Sequence, residues 1–182
     1  MTDPNALQHI NAVQHINVKI FIAEPASINL ADAVPVFHRW IRESLCAEML
    51  VDVADYRHVP AGPGVMLIGH EANYSLDNRE NRLGLLYNRK AVLEGSLRDR
   101  LQQAHGAALA ACKRLESDPA FGGKLKFEPG HCEVFANDRL LAPNTEATWL
   151  LLKPELEKFF SGCSLERRGE PRDLLRVEVT QL

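Results

Sequence analysis

From residue 16 the chain alternates: Ile16, Val18, Ile20 and Ile22 are apolar, with Asn17 and Lys19 between them. A period of two is that of a strand with one buried face, so residues 16–23 are expected to form the first strand. Glu24-Pro25-Ala26-Ser27 ends it. Val34, Phe37, Ile41 and Leu45 then recur at helical spacing with Arg39, Arg42 and Glu43 opposite, which predicts a helix over 33–47. Pro35 suits its first turn, and Asn29 or Asp32 can cap it. Residues 49–54 form the second strand. The intervening length holds a helical crossover, so the first two strands are expected to pair in parallel.

A third strand over 65–72 is apolar on both faces at its start and should be central. A fourth runs over 83–90, after an exposed turn at 77–81. Leu97, Leu101, Ala104, Ala108, Cys112 and Leu115 mark one side of a helix over 96–117, and Ser96 with Asp99 resembles a capping box. Residues 124–128 and 132–136 read as a hairpin around Pro129-Gly130. Asn144 or Thr145 opens a third helix through residue 160, which Pro154 should kink or split. Leu175, Val177 and Val179 alternate in a last strand over 174–180.

The expected fold is therefore α+β: a single mixed sheet of six to seven strands, in the order β-α-β-β-β-α-β-β-α-β, with three helices packed on it. Residues 1–15 are polar and aperiodic, with Gln-His-Ile-Asn at 8–11 repeated at 14–17. They are expected to be a flexible arm, leaving residues 16–182 as one globular domain.

Composition agrees with that picture and narrows the partners. The chain has 182 residues, of which 46% are hydrophobic and 25% charged, ordinary values for a globular domain. A net charge of -3 gives no electrostatic footprint for nucleic acid. The densest basic run, Glu166-Arg167-Arg168-Gly169-Glu170-Pro171-Arg172, is diluted by its own acids and reads as a solvated loop. No apolar run approaches the ~20 residues of a membrane helix. The first residues lack the basic and apolar regions of a signal peptide. The four cysteines form no CxxC pair. The expectation is a cytoplasmic protein with reduced thiols, no membrane or nucleic-acid partner and no cofactor. A homo-oligomer and a small-molecule ligand are the associations left open.

No phosphate-binding loop, dinucleotide fingerprint or nucleophile elbow is present. His70-Glu71 begins like a zincin motif, but Tyr74 stands where the second histidine belongs. Asp55, His58, His70 and Glu71 are metal-ligand types, yet a short antiparallel connection would set the two halves ~15 Å apart, so no metal site is expected. The same register places Asp55 opposite Val65 and Asp52 opposite Ile68, with His70 diagonal to Asp52. Asp52 stands in an apolar strand and is expected to be partly buried. An Asp52-oriented His70 is then the candidate for acid–base catalysis. Glu24 and Ser27 after the first strand, with Asp55, Arg57 and His58 after the second, form a candidate ligand-binding rim. Arg139 has the fork geometry to clamp a carboxylate, though Asp138 and Glu146 offer simpler partners.

The functional expectation is a binding or assembly module without catalysis of its own. The alternative is a small-molecule enzyme using acid–base chemistry at Asp52/His70 or at Asp55/His58.

Overall fold

A computed structural model describes residues 12–182. Eight strands form one sheet, and every neighbouring pair is antiparallel. In chain order they are β1 (Ile16–Ile22), β2 (Leu50–Tyr56), β3 (Gly64–Gly69), β4 (Ala72–Asp77), β5 (Gly84–Arg89), β6 (Phe127–Ala136), β7 (Cys163–Arg168) and β8 (Leu175–Gln181). Their order across the sheet is β2-β3-β4-β5-β1-β6-β8-β7. The helices are α1 (Ala33–Glu43), α2 (Leu97–Glu116) and α3 (Glu146–Phe159).

The class is α+β as expected, but the sheet corrects the expectation in three places. First, β1 and β2 point the same way without pairing, because three strands lie between them. Short turns join β2 through β5 into one antiparallel ladder, and such a ladder delivers its last strand, β5, to β1. Second, the expected hairpin at Pro129-Gly130 is one ten-residue strand, β6. Ile20 faces Cys132 while Ile22 faces Phe127, so β6 bulges where Pro129 cannot donate to the ladder. Third, two strands were not legible. The third strand is followed by a hairpin turn at His70-Glu71 into β4, and the charged run after residue 162 contains the edge strand β7. Merging one pair and adding two strands turns seven into eight.

The helices match more closely. Ser96 and Asp99 do form the capping box: Ser96 Oγ accepts from the Asp99 amide, and Asp99 Oδ2 accepts from the Ser96 amide at 2.8 Å. Thr145 caps α3, which continues unsplit through Pro154. The buried face of α1 is Ala33, Val36, Phe37 and Trp40, with the expected Val34, Ile41 and Leu45 at its margins. Residues 1–11 of the expected arm lie outside the described residues. Val13, by contrast, is buried in the core, and Gln14 accepts a hydrogen bond from the Leu93 amide.

One hydrophobic cluster unites the three helices with a single face of the sheet. From β1 it takes Ile16, Val18, Ile20 and Ile22. The residues between them, Asn17, Lys19 and Phe21, point to the opposite face and are nonetheless buried. Among the described residues that opposite face carries no helix, and its centre is where the unusual chemistry lies. No described helix is long and apolar enough to cross a membrane.

Candidate functional site

On the helix-free face, register puts Lys19 between Leu86 of β5 and Glu133 of β6, and puts Glu133 beside Glu178 of β8. Opposite charges facing across strands normally pair. Lys19 instead reaches the other way, across Gly84, to Asp77 on β4, where Nζ lies 2.6 Å from Oδ1. Glycine permits this path: a Cβ at Gly84 would sit 3.2 Å from the Lys19 Cε and 2.6 Å from the Ile20 carbonyl oxygen. The side chains of Lys19 and Asp77 are 4% and 2% exposed. Burial draws the Lys19 ammonium below its usual range, against the pull of Asp77 and Glu133.

Glu133 is thereby left without a close partner. Its side chain is 4% exposed, and Oε1 has no hydrogen bond. Arg82 Nη1 and Arg176 Nε both stand 3.9 Å away, beyond hydrogen-bond reach. Both guanidiniums are committed elsewhere: Arg82 Nη2 donates to Glu178 at 2.6 Å, and Arg176 Nη1 donates to Glu80 at 2.7 Å. Burial pushes the Glu133 carboxyl above the ordinary carboxylate range, outweighing the two arginines. Glu178 is the reverse case. Burial would raise it, but hydrogen bonds from His131 and Arg82 and the nearby Arg168 bring it below that range.

These groups line a cavity of about 240 Å³. Its apolar wall includes Phe21 and Phe135, with the Arg82 guanidinium stacked 4.1 Å from the Phe21 ring. Arg79 and Arg139 stand at its mouth with Glu80 and Asp173. Among the described residues, three polar atoms in it are buried without a hydrogen bond: Asp77 Oδ2, Glu133 Oε1 and Arg176 Nε. Such atoms are uncommon in folded proteins. Here three of them converge on one concavity.

A carboxyl whose folded pKa is raised binds its proton more tightly in the native state. Glu133 should therefore cost stability as pH rises from its unfolded pKa through its folded one. Glu133→Gln should remove that slope and stabilise the protein by on the order of 1 kcal/mol above pH 7, with little effect near pH 4. Urea unfolding across pH 4–8 measures it. An unchanged pH slope would show that Glu133 is not the group responsible.

The residues singled out from sequence lie elsewhere. The register is as expected, with Asp52 opposite Ile68 and Asp55 opposite Val65. Yet β2 is an edge strand, and Asp52 is exposed rather than partly buried. A register irregularity between Leu50 and Asp52 and the turn at residue 70 set His70 beside Met49, whose carbonyl accepts from the His70 amide at 2.8 Å. His70 is exposed as well, and Asp52 accepts instead from the Val53 amide.

The rim does not assemble as one wall. Glu24 and Ser27 follow β1, while Asp55, Arg57 and His58 follow β2, four strand spacings or ~19 Å away across the sheet. Asp55 and Arg57 form an exposed ion pair, whose hydrogen bonds hold the Asp55 carboxyl down to about 2. Glu24 and Ser27 border a separate surface hollow with Lys124 and Lys126. Among the described residues, no three of His, Cys, Asp and Glu gather into a group that could hold a metal ion.

Lys19 and Glu133 carried no sequence signal beyond being polar positions in strands, and Asp77, expected to open an exposed turn, instead ends β4 and is buried. Arg139, the candidate carboxylate clamp, finds its simpler partners occupied. Asp138 accepts from the Leu140 and Leu141 amides, and Glu146 pairs with Arg167 at 3.0 Å.

A second polar cluster lies on the helix side of the sheet. Buried Glu48 accepts from Tyr74 at 2.7 Å and from Tyr87 at 2.8 Å, and Gln103 donates to the Tyr87 oxygen. Its carboxylate is satisfied on both oxygens, as a structural tie would be. Compared with known proteins, the chain matches no family model and no curated sequence.

Proposed function

We propose that this chain is a binding module for a small polar molecule, held in the cavity on the helix-free face of the sheet. The observation that carries the reading is the convergence there of three buried polar atoms without hydrogen bonds, Asp77 Oδ2, Glu133 Oε1 and Arg176 Nε. A fold gains nothing by burying a carboxylate such as Glu133 with its nearest guanidinium nitrogens held at 3.9 Å, beyond hydrogen-bond reach. Groups that lower stability at a concave site are what ligand binding requires, since the ligand supplies the missing partners. The volume, about 240 Å³, is below the ~300–1,000 Å³ of drug-sized ligand pockets and suits a metabolite.

A second reading, acid–base catalysis at the same cavity, draws support from the opposed shifts of its two buried groups. Glu133 is raised and Lys19 lowered, which narrows the gap between an acid and a base. Binding is the simpler reading because Lys19 is already engaged by Asp77.

A thermal-shift panel of organic acids, sugars, amino acids, phosphates and nucleosides tests the proposal. A ligand at 100 times its dissociation constant adds ~2.7 kcal/mol of stability, a shift easily read. At least one class should stabilise the wild type and do so less in Glu133→Gln and Arg139→Gln. If no class stabilises the protein, or the shift is indifferent to both substitutions, the cavity is not a binding site.

A further inference from the structure

The cavity's own chemistry narrows the ligand, and this step rests on the binding reading above. The lining contains five cationic side chains, those of Lys19, Arg79, Arg82, Arg139 and Arg176. It contains four carboxyl groups, those of Asp77, Glu80, Glu133 and Asp173. With all of them ionised, the lining among the described residues has one cation more than it has carboxylates, and Glu178 behind it pairs with Arg82. The cation left over is Arg139, which makes no ion pair among the described residues, whereas Lys19, Arg79, Arg82 and Arg176 each do. One surplus charge matches a carboxylate better than a phosphate monoester, which carries nearly two negative charges at neutral pH.

The remaining groups ask chiefly for donors. Asp77 Oδ2 and Glu133 Oε1 are acceptors, and as ionised carboxylates they can only accept. They lie in a cavity that also has aromatic walls, Phe21 and Phe135. A ligand that fits presents one carboxylate, at least two hydroxyl donors and a carbon face that packs on the rings. The volume of about 240 Å³ holds one ring or one six-carbon chain with its substituents.

We propose that the cavity binds a monosaccharide acid, a hexuronate or hexonate. Its carboxylate sits at Arg139, and its hydroxyls donate to Glu133 and Asp77. The buried carboxylate whose Oε1 has no hydrogen bond among the described residues is thus the group that reads the sugar.

Calorimetry on the whole chain tests this with D-glucuronate, D-galacturonate and D-gluconate. The controls are D-glucose, which lacks the carboxylate, and hexanoate, which lacks the hydroxyls. At least one sugar acid should bind tenfold or more tighter than either control, because a hydrogen bond to a charged group is worth ~1.5–3 kcal/mol. Arg139→Gln should bring that sugar acid to the level of glucose. Glu133→Gln should weaken it tenfold while leaving hexanoate unchanged.

Arg139 is exposed and Glu133→Gln is isosteric, so both variants should fold, as circular dichroism will verify. If glucose or hexanoate binds as tightly as the sugar acids, or no sugar acid binds at 10 mM while another class in the panel does, the inference falls and the binding reading stands. If sugar acids bind but neither substitution weakens them, both fall.

Discussion

Lys19→Met is expected to lower stability by about 3–5 kcal/mol, the largest effect of any single substitution at the site. Methionine keeps the unbranched chain as far as Cε, with sulfur at the δ position, and removes the ammonium. Asp77 is then left 2% exposed with its main partner gone. Its remaining contacts are the Arg79 amide at 3.2 Å and the Arg79 Nε at 3.4 Å. Neither replaces a buried cation at 2.6 Å, so the carboxylate must take up a proton or open the turn to water. For a chain of this length the loss corresponds to a fall of about 10 °C in Tm.

The double variant Lys19→Met/Asp77→Leu separates the pair from the space it fills. Breaking a buried ion pair is costly, but replacing both partners with apolar groups is often near neutral. The double variant should therefore recover more than half of the loss in urea unfolding. A single variant within 1 kcal/mol of wild type would show that the ion pair is hydrated, and a double variant no better than the single would show that packing alone matters.

The second large effect is expected at Gly84. A Cβ there meets the Ile20 carbonyl oxygen at 2.6 Å, a backbone atom with no room to retreat in the middle of a sheet. Gly84→Ala should cost about 2–3 kcal/mol, in the range of other overpacked cores. It should also push the Lys19 chain off its path to Asp77, since the same Cβ lies 3.2 Å from Cε. Any ligand of the cavity should then bind more weakly even where the protein is fully folded. Gly106→Ala is the matched control. Nothing lies within 4 Å of its Cβ position on α2, so it should stabilise by about 0.5–1 kcal/mol through helix propensity. Equal effects at the two glycines would remove the argument that close approach, rather than glycine itself, matters at position 84.

Both predictions concern residues that a reading of the chain passes over, and the reason is physical. Period-two alternation says which residues share a face of a strand, but not what covers that face. Lys19 reads as an outward polar residue of β1, which is correct as to side. Only the tertiary structure makes β1 the fifth of eight strands and brings Asp77, Arg82, Glu133 and Arg176 around it. These residues come from β4, the β4–β5 turn, β6 and β8, and no local pattern links them. Asp52 errs in the opposite sense. An acid among valines looks buried, but β2 is an edge strand, and edge position is a property of the sheet.

What the chain determines by itself is local. The three helices, the capping box at Ser96, the Thr145 cap and the register of β2 against β3 all rest on interactions within a few residues or across one short connection. The pairing of β1 with β5 and β6, the continuity of β6 through Pro129, and the existence of β7 within a charged run were decided by long-range contacts. So was the burial of Glu133 with no hydrogen bond to its Oε1 among the described residues. Burial belongs to the assembled sheet, and the chemistry of this protein's cavity is a consequence of burial.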